Sequence, residues 1–320
     1  MPPAWGRCPV LFFTHTGAPL TSRPSKLLAA VEAGGTKFVC AVGRDPRAIL
    51  RRTVIPTTTP DQTFARCCEF FEGCAAEFGA CSGVGVASFG PINLDERSAV
   101  YGMLGLTPKE GWAGANFVQR LSQLNAPVKV DTDVNGAALG EWAHGTGMRR
   151  DTVAYVTIGT GIGVGVVSGG HSLKGATHYE LGHIRPPRDL IDSFKGRCPF
   201  HGDCLEGLAS GPAIRERWGA DLGALGETHK ALRLEARYLA HLVLTITLAH
   251  APDIVIVGGG VAKAAGLLPN LREETARLIG GYLAGAAEGD LSHYIVEPGL
   301  GDDAGVTGAL MLAADAAQAL

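Results

Sequence analysis

Two glycine-rich turns, one in each half of the chain, are each flanked by short apolar runs. The flanking runs are rich in β-branched residues and too short for typical helices, which favours β-strands. Each pattern therefore predicts a strand, a tight turn and a second strand. The first predicted hairpin has strands over residues 27–31 and 38–42 around the turn 32–37, and the second has strands over 153–158 and 162–167 around the turn 159–161.

A similar order of elements follows each hairpin. After the first, the pattern predicts strands over 48–55, 83–87 and 128–130 and helices over 63–78 and 134–143. After the second, it predicts helices over 211–218 and 231–250, a strand over 254–257, a further helix, a strand over 293–296 and a last helix from about residue 307. This repetition predicts an α/β fold of two similar lobes, each with an antiparallel hairpin on a partly parallel sheet.

The boundary between the lobes is predicted near residues 141–150, where charged residues and glycines cluster. The N-terminal lobe then comprises residues 27–140 and the C-terminal lobe residues 141–320. The last helix is a candidate to pack back on the N-terminal lobe. Residues 1–26 are rich in proline, threonine and arginine, and we interpret them as a disordered extension or an overlong start of the sequence.

The glycine turns predict a phosphate site between the lobes. Backbone N–H groups without a neighbouring Cβ can converge on one point and bind an anion. A P-loop or a dinucleotide fingerprint would need a helix after its glycines, whereas both turns here lead into strands. An ordinary hairpin turn is the alternative for either one alone; together they predict two lobes that close on one polyphosphate.

Composition and charge narrow the classes of function. Apolar residues make up 46% of the 320 residues and charged residues 18%, which is typical of a globular protein. A net charge of −3 gives no basic footprint, so no nucleic acid is expected as a partner. No apolar run approaches the length of a bilayer span, so no membrane is expected either. Without a recognisable export signal, we expect a cytoplasmic protein whose cysteines stay reduced.

Asp133 is the candidate general base. It lies where the strand over 128–130 gives way to a helix, so either Asp133 or Thr132 is expected to cap that helix. A carboxylate at a helix N-terminus is expected to stay ionised because the helix dipole favours the anion. Such a carboxylate could accept a hydroxyl proton during phosphoryl transfer. A capping role alone is the alternative.

His183, Cys198, His201 and Cys204 are the candidate metal ligands. Two thiols and two imidazoles form a closed tetrahedral set of the kind that holds a structural Zn²⁺. The alternative is a redox pair of cysteines beside two unrelated histidines. Glu180 and Glu206 flank these ligands, so a metal that fixes the loop would hold both carboxylates near one spot, where they could accept hydrogen bonds from sugar hydroxyls. Solvated surface charge is the alternative for both.

Together these motifs resemble the ROK family of sugar kinases, within the hexokinase–actin–Hsp70 superfamily, from about residue 27 to residue 314. Within the family, the bacterial fructokinases are the most similar. The resemblance implies an actin-like ATPase (ribonuclease H-like) fold with a cleft between the lobes, Asp133 as the catalytic base, and a homodimer. It also implies ATP with Mg²⁺, a structural Zn²⁺ and a sugar substrate. The residues that it assigns to ATP are Gly34, Gly35, Thr36, Lys37, Thr160, Gly161, Gly211, Gly259 and Gly260, and those that it assigns to the sugar are Thr132, Glu180, His183 and Glu206.

Several departures from the family pattern bear on the substrate. Glu32 stands where the family usually has Asp, Thr132 where it has a sugar-contacting Asn, and His201 at the middle position of the zinc loop. Residues 108–112 differ from the NLPGW segment of the glucose-specific members. The resemblance therefore implies phosphorylation of D-fructose to fructose 6-phosphate, with mannose as a further acceptor. The alternatives are another ROK hexokinase (a glucokinase, mannokinase or N-acetylhexosamine kinase) and a sugar-responsive ROK repressor, for whose DNA-binding domain residues 1–26 are too short.

Overall fold

The computed structural model describes residues 26–283, 285 and 287–318, so the predicted extension lies outside the described residues except for Lys26. The strands are β1 (Leu27–Ala33), β2 (Lys37–Asp45), β3 (Ala48–Pro56), β4 (Cys81–Ser88), β5 (Val128–Thr132), β6 (Thr152–Ile158), β7 (Ile162–Ser168), β8 (His171–Ser172), β9 (Ile254–Gly258) and β10 (Ile295–Val296). The helices are α1 (Pro60–Phe78), α2 (Phe117–Leu121), α3 (Asp133–His144), α4 (Leu205–Ala209), α5 (Gly211–Trp218), α6 (Leu222–Leu225), α7 (Lys230–His250), α8 (Leu267–Ile279) and α9 (Ala304–Ala316). Both predicted hairpins are confirmed, as β1–β2 and β6–β7.

The strands form two five-stranded sheets with one topology. The first sheet has the order β3-β2-β1-β4-β5 and the second the order β10-β9-β6-β7-β8, which is the same order read from the opposite edge. In each sheet the hairpin and its third strand are antiparallel, and the other two strands run parallel to the first strand of the hairpin. The prediction of two similar α/β lobes is therefore confirmed.

Two helices lie between the sheets. α9 packs against β1 and β4 of the first sheet, while α3 packs against α9 and against β6 and β7 of the second. The approach of α3 to α9 depends on glycine, since a Cβ on Gly308 would lie 1.7 Å from the carbonyl oxygen of Gly136. This close contact joins the two lobes at their centre.

Each lobe has its own apolar core. In the first, Phe38, Phe64, Trp112 and Phe117 are buried with ring centroids 5.2–6.2 Å apart. In the second, β6, β7 and β9 pack against α7 and α8 through aliphatic side chains and two tyrosines. Among the described residues, no helix is both long and apolar enough to cross a membrane.

Some predicted boundaries are wrong by a few residues. α1 begins at Pro60 rather than at residue 63, because proline fits the first turn of a helix and the Thr59 hydroxyl accepts the N–H of Gln62. α9 begins at Ala304, directly after a 3-10 turn over Gly301–Asp303. β10 is shorter than predicted because a turn, closed by the N–H of Tyr294 to the carbonyl of Leu291, precedes it. The helices α2, α4 and α6 were not predicted, since four or five residues show no helical period.

Candidate active site

The first glycine turn joins β1 to β2 and is held from one side by the chain that follows β3. The N–H of Gly34 donates to the carbonyl of Lys37 at 2.9 Å and closes the turn. Thr57 fixes the turn from outside, because its hydroxyl donates to the carbonyl of Gly34 at 2.8 Å and its N–H donates to that of Thr36 at 3.0 Å. Gly35, Thr36 and Lys37 remain exposed. Their backbone is therefore available to an anion.

The second glycine turn lies beside two other segments to which the resemblance assigns ATP contacts. The N–H of Gly211, at the start of α5, donates to the carbonyl of Gly159 at 2.8 Å. Gly259 has φ of +92°, and a Cβ there would lie 2.5 Å from the carbonyl oxygen of Ile158. The end of β6, the start of α5 and the loop after β9 thus meet at one place, with Thr160 exposed there.

The four candidate metal ligands converge. Their donor atoms all lie within 4.8 Å of one another. The Nδ1 atom of His183 is 3.3 Å from the Sγ atom of Cys204 and 3.9 Å from that of Cys198, and Nδ1 of His201 is 3.6 Å from Sγ of Cys198. Ligands of a tetrahedral Zn²⁺ at about 2.0–2.3 Å from the ion are separated by roughly 3.3–3.8 Å. The donor set and its spacing therefore fit zinc.

The local fold explains why these four side chains meet. Cys198 and Gly202 pair through two backbone hydrogen bonds of 3.0 and 2.9 Å, which folds the loop back on itself and brings His201 beside Cys198. His183 ends a 3-10 turn over Leu181–His183. Burial and, to a smaller extent, the neighbouring Cys198 thiol raise the pKa of Cys204 to about 11. A bound cation would lower it again by favouring the thiolate. We call residues 181–207 the metal loop.

The metal loop packs directly against the second glycine turn at Ile162. A Cβ on Gly182 would lie 1.9 Å from the carbonyl oxygen of Ile162, so only glycine allows this approach. At the preceding peptide group, the Glu206 carboxylate accepts the N–H of Ile162 at 3.0 Å. The Glu206 side chain thus supports the backbone of the turn, a contact that the sequence did not predict.

Asp133 opens α3, and its neighbour Thr132 caps that helix. The Thr132 hydroxyl accepts the N–H of Asn135 at 3.2 Å, which leaves its own proton available to a ligand. One carboxylate oxygen of Asp133 accepts the N–H of Val134 at 2.8 Å. The carboxylate keeps acceptor sites that this hydrogen bond does not use, so it can still take a proton from a substrate.

The electrostatic surroundings of Asp133 correct one expectation. Burial, together with smaller effects of the Glu32 and Glu180 carboxylates, raises the pKa of Asp133 to about 7 against the opposing N–H of Val134. The sequence led us to expect that the helix dipole keeps this carboxylate ionised, but desolvation outweighs the dipole and leaves the carboxyl partly protonated near pH 7. A pKa near neutrality suits a general base. Glu32 lies in β1 and Glu180 directly before the metal loop, so groups from both lobes influence Asp133.

Charged groups from both lobes meet at the edge of the first turn. Lys263, in the loop after β9, pairs with Asp302 at 2.7 Å, and this pairing, with help from Lys37 and Arg52, lowers the pKa of Asp302. Arg52 also forms an ion pair with Asp303. The Arg52 side chain of the N-terminal lobe therefore reaches the segment that precedes α9.

The sequence patterns did not identify two further buried residues near the site. Glu141 is fully buried, and its carboxylate accepts the N–H groups of Thr146, Gly299 and Leu300 at 2.8–3.0 Å. It therefore joins the end of α3 to the chain that enters α9. His178 is buried two residues before Glu180. Neither has a local signal, because Glu141 also binds Gly299 and Leu300 and His178 binds Ile92, all of them distant in sequence.

A cavity of about 970 Å³ lies elsewhere in the C-terminal lobe. It is lined by residues of the loop 189–196 and by parts of α5, α7 and α8. None of the predicted site residues lines it.

Comparison with known proteins identifies relatives along nearly the whole chain. The sequence model of the ROK family matches residues 28–316. A fructokinase of Zymomonas mobilis is 42% identical over 293 residues, which covers 90% of this chain and 96% of that protein. Among solved structures, a ROK hexokinase from Thermus thermophilus has a TM-score of 0.75 at 27% identity and covers 92% of this chain and 100% of its own. A ROK glucokinase from Streptomyces griseus in complex with glucose and AMPPNP has a TM-score of 0.70 at 26% identity, over 90% of this chain and 99% of its own. The fold is therefore the actin-like ATPase fold.

Proposed function

The chain belongs to the ROK family, and on that premise we propose that it is a fructokinase that transfers the γ-phosphoryl group of ATP to the 6-hydroxyl of D-fructose. The observation that carries the choice of sugar is the contrast between 42% identity to a fructokinase and 26% identity to a glucokinase, each over 90% of the chain. The change of Asn to Thr132 in the sugar-contacting segment agrees with a sugar other than glucose.

The reaction needs a base, a phosphate cradle and a held sugar. We propose that the Asp133 carboxylate accepts the proton of the fructose 6-hydroxyl. As it does so, the 6-oxygen of fructose bonds to the γ-phosphorus, and the bond from that phosphorus to the β–γ bridging oxygen breaks. ADP leaves with the bonding electron pair. Glu180, His183, Glu206 and Thr132 are the proposed sugar contacts, and the two glycine turns hold the phosphates through backbone N–H groups.

ATP-dependent sugar kinases of this family use Mg²⁺ with the nucleotide. The acidic groups that could hold it, directly or through water, are the Glu32 carboxylate and the neighbouring Asp302 and Asp303. Burial raises the pKa of Glu32, Arg52 and Lys37 lower it, and both aspartates raise it to a smaller extent. A divalent cation among these carboxylates would favour their ionised forms. When bound, Mg²⁺ neutralises the phosphate charge that develops during transfer.

We further propose that His183, Cys198, His201 and Cys204 hold one structural Zn²⁺. The support is the spacing of their donor atoms and the contact of this loop with Ile162. A closed set of four protein ligands leaves no position for substrate, so such an ion stabilises the loop rather than reacting. The homodimer that the resemblance implies and the cytoplasmic location expected from the sequence stay predictions. Light scattering of the purified protein would test the homodimer.

The substrate is tested by measuring ADP release with fructose, mannose, glucose, allose and N-acetylmannosamine at saturating ATP and Mg²⁺. We expect the highest kcat/KM with fructose. A higher value with another hexose would keep the kinase but reject the fructokinase assignment, and no activity with any hexose would reject both.

The role of Asp133 is tested by Asp133→Asn, for which we expect a loss in kcat of about 100-fold or more with the fold intact. Asp61→Asn is the matched control, because Asp61 also lies in the first turn of a helix but is exposed and pairs with Arg120. Near-normal turnover of Asp133→Asn would remove Asp133 from the reaction.

A further inference from the structure

We propose that His178 is a positioning residue that sets the Glu180 carboxylate for hexose binding by docking the loop before Glu180 onto the N-terminal lobe. The inference rests on the proposed sugar-binding role of Glu180. His178 follows β8 in the C-terminal lobe, and its side chain is only 6% exposed. It belongs neither to the metal set nor to the glycine turns.

One contact of His178 is with the N-terminal lobe. Its Nε2 atom accepts the backbone N–H of Ile92 at 3.1 Å. The ring also covers Gly90, where a Cβ would lie 3.2 Å from the Cε1 atom of His178. The N-terminal segment 90–92 therefore fits around the imidazole, and the histidine satisfies a buried backbone donor that would otherwise be unpaired.

This hydrogen bond fixes the tautomer of the ring. Because Nε2 accepts a proton, the neutral imidazole carries its hydrogen on Nδ1. Nδ1 lies 3.3 Å from the carbonyl oxygen of Tyr179 and 3.5 Å from Oε1 of Glu180. The positive edge of the ring thus faces the carboxylate at a distance where attraction orients it, although the contact is too long for a strong hydrogen bond.

Glu180 is held between two imidazole rings. Its second oxygen, Oε2, lies 4.0 Å from Nε2 of His183, the proposed metal ligand. The carboxylate nevertheless keeps a side-chain exposure of 51%, so one face remains open to a ligand. His178 and His183 therefore restrict the direction of Glu180 without covering it, which lowers the entropy that a sugar would otherwise have to remove on binding.

A second contact joins the loop before Glu180 to the N-terminal lobe, and it does not involve Glu180. Lys174 donates to the carbonyl of Leu94 at 3.1 Å. It thus bridges the same lobes as His178, through the same loop. Lys174 therefore supplies a control that separates general docking of the loop from the positioning of Glu180.

The test compares His178→Met with His178→Gln. Methionine fills a similar length but offers no strong acceptor, whereas the amide oxygen of glutamine is separated from Cα by the same number of bonds as Nε2. For His178→Met we expect KM for fructose to rise about tenfold, while kcat and KM for ATP stay within about threefold of the wild type. His178→Gln should restore KM for fructose to within about threefold, and Lys174→Met should leave it unchanged.

Three results would overturn the proposal: equal KM values for the Met and Gln variants, a parallel rise in KM for ATP, or the same rise in Lys174→Met. Melting temperature and bound zinc, measured on each variant, show that the fold and the metal loop are intact. If the wild type phosphorylates another hexose instead, the fructokinase assignment fails, but the same comparison with that hexose still decides the role of His178. If it phosphorylates none, calorimetric Kd values for fructose decide it without turnover.

Discussion

The two glycine turns have the same local pattern but depend on different parts of the molecule. Each is closed by its own backbone hydrogen bond, and the first, between β1 and β2, is also held by Thr57. The second, between β6 and β7, is held at Ile162 by Gly182 and Glu206 of the metal loop. Similar sequence patterns thus predict similar backbone shapes, but they do not predict how strongly each turn responds to mutations elsewhere in the chain. We expect mutations in the metal loop to disturb the second turn and to leave the first turn unchanged.

The largest expected difference is between an alanine substitution that disturbs the second turn and one in the first turn. In Gly182→Ala, the new Cβ would lie 1.9 Å from the carbonyl oxygen of Ile162, and a backbone atom cannot move aside cheaply. We expect kcat/KM for ATP to fall by about 100-fold or more, or the protein not to fold. Gly35→Ala in the first turn meets no atom within 4 Å, so its melting temperature should match the wild type. Equal destabilisation of both variants would contradict the comparison.

The next effect concerns Asp133, whose pKa depends on burial, on Glu32 of the first hairpin and on Glu180 directly before the metal loop. The base acts only when ionised, so kcat/KM for fructose should fall about tenfold for each pH unit below a pKa of about 7. A flat profile from pH 8 down to pH 5 would show that this pKa is not raised.

The same pKa has a consequence for stability. Burial raises the pKa of Asp133 in the folded protein above its value in the unfolded chain. The stability that the protonated carboxyl gives the folded protein is therefore lost as the pH rises through 7. Asp133→Asn keeps a neutral side chain at every pH. At pH 8 it should therefore melt no lower than the wild type, which thermal denaturation would check.

The metal site is tested by Cys204→Ala. We expect loss of bound zinc by elemental analysis and a melting temperature lower by about 5–10 °C. In hydrogen exchange, protection should fall in β7 and stay in β1 and β2. Cys74→Ala is the control, since Cys74 is equally buried but lies in α1 outside the metal set. An unchanged zinc content in Cys204→Ala would reject the ligand set.

The smallest effects come from single hydrogen bonds to each turn. Glu206→Gln weakens a charged acceptor of the Ile162 N–H, so KM for ATP should rise about five- to tenfold. Thr57→Val removes a neutral donor to the Gly34 carbonyl, with an expected rise of about two- to threefold. If Glu206→Gln raises KM for fructose more than KM for ATP, the sugar contact of Glu206 outweighs its support of the turn.

The sequence alone predicted features whose causes lie within a few residues. The alternation of apolar runs and glycine turns predicted both hairpins and the repeated lobes, because strand formation follows local pattern. The cap of α3 by Thr132 follows from residue type at a helix start. The four metal-binding candidates could be selected because three of them share one short loop.

Only the tertiary structure decided how these parts act on one another. The raised pKa of Asp133 depends on burial and on Glu32 and Glu180, which lie about a hundred and about fifty residues away in the chain. The role of Glu141 and the contact of His178 with Ile92 likewise join segments far apart in sequence. A hydrogen bond or a desolvation energy depends on distance in space, and a single sequence specifies that distance only after the two sheets, α3 and α9 have packed together.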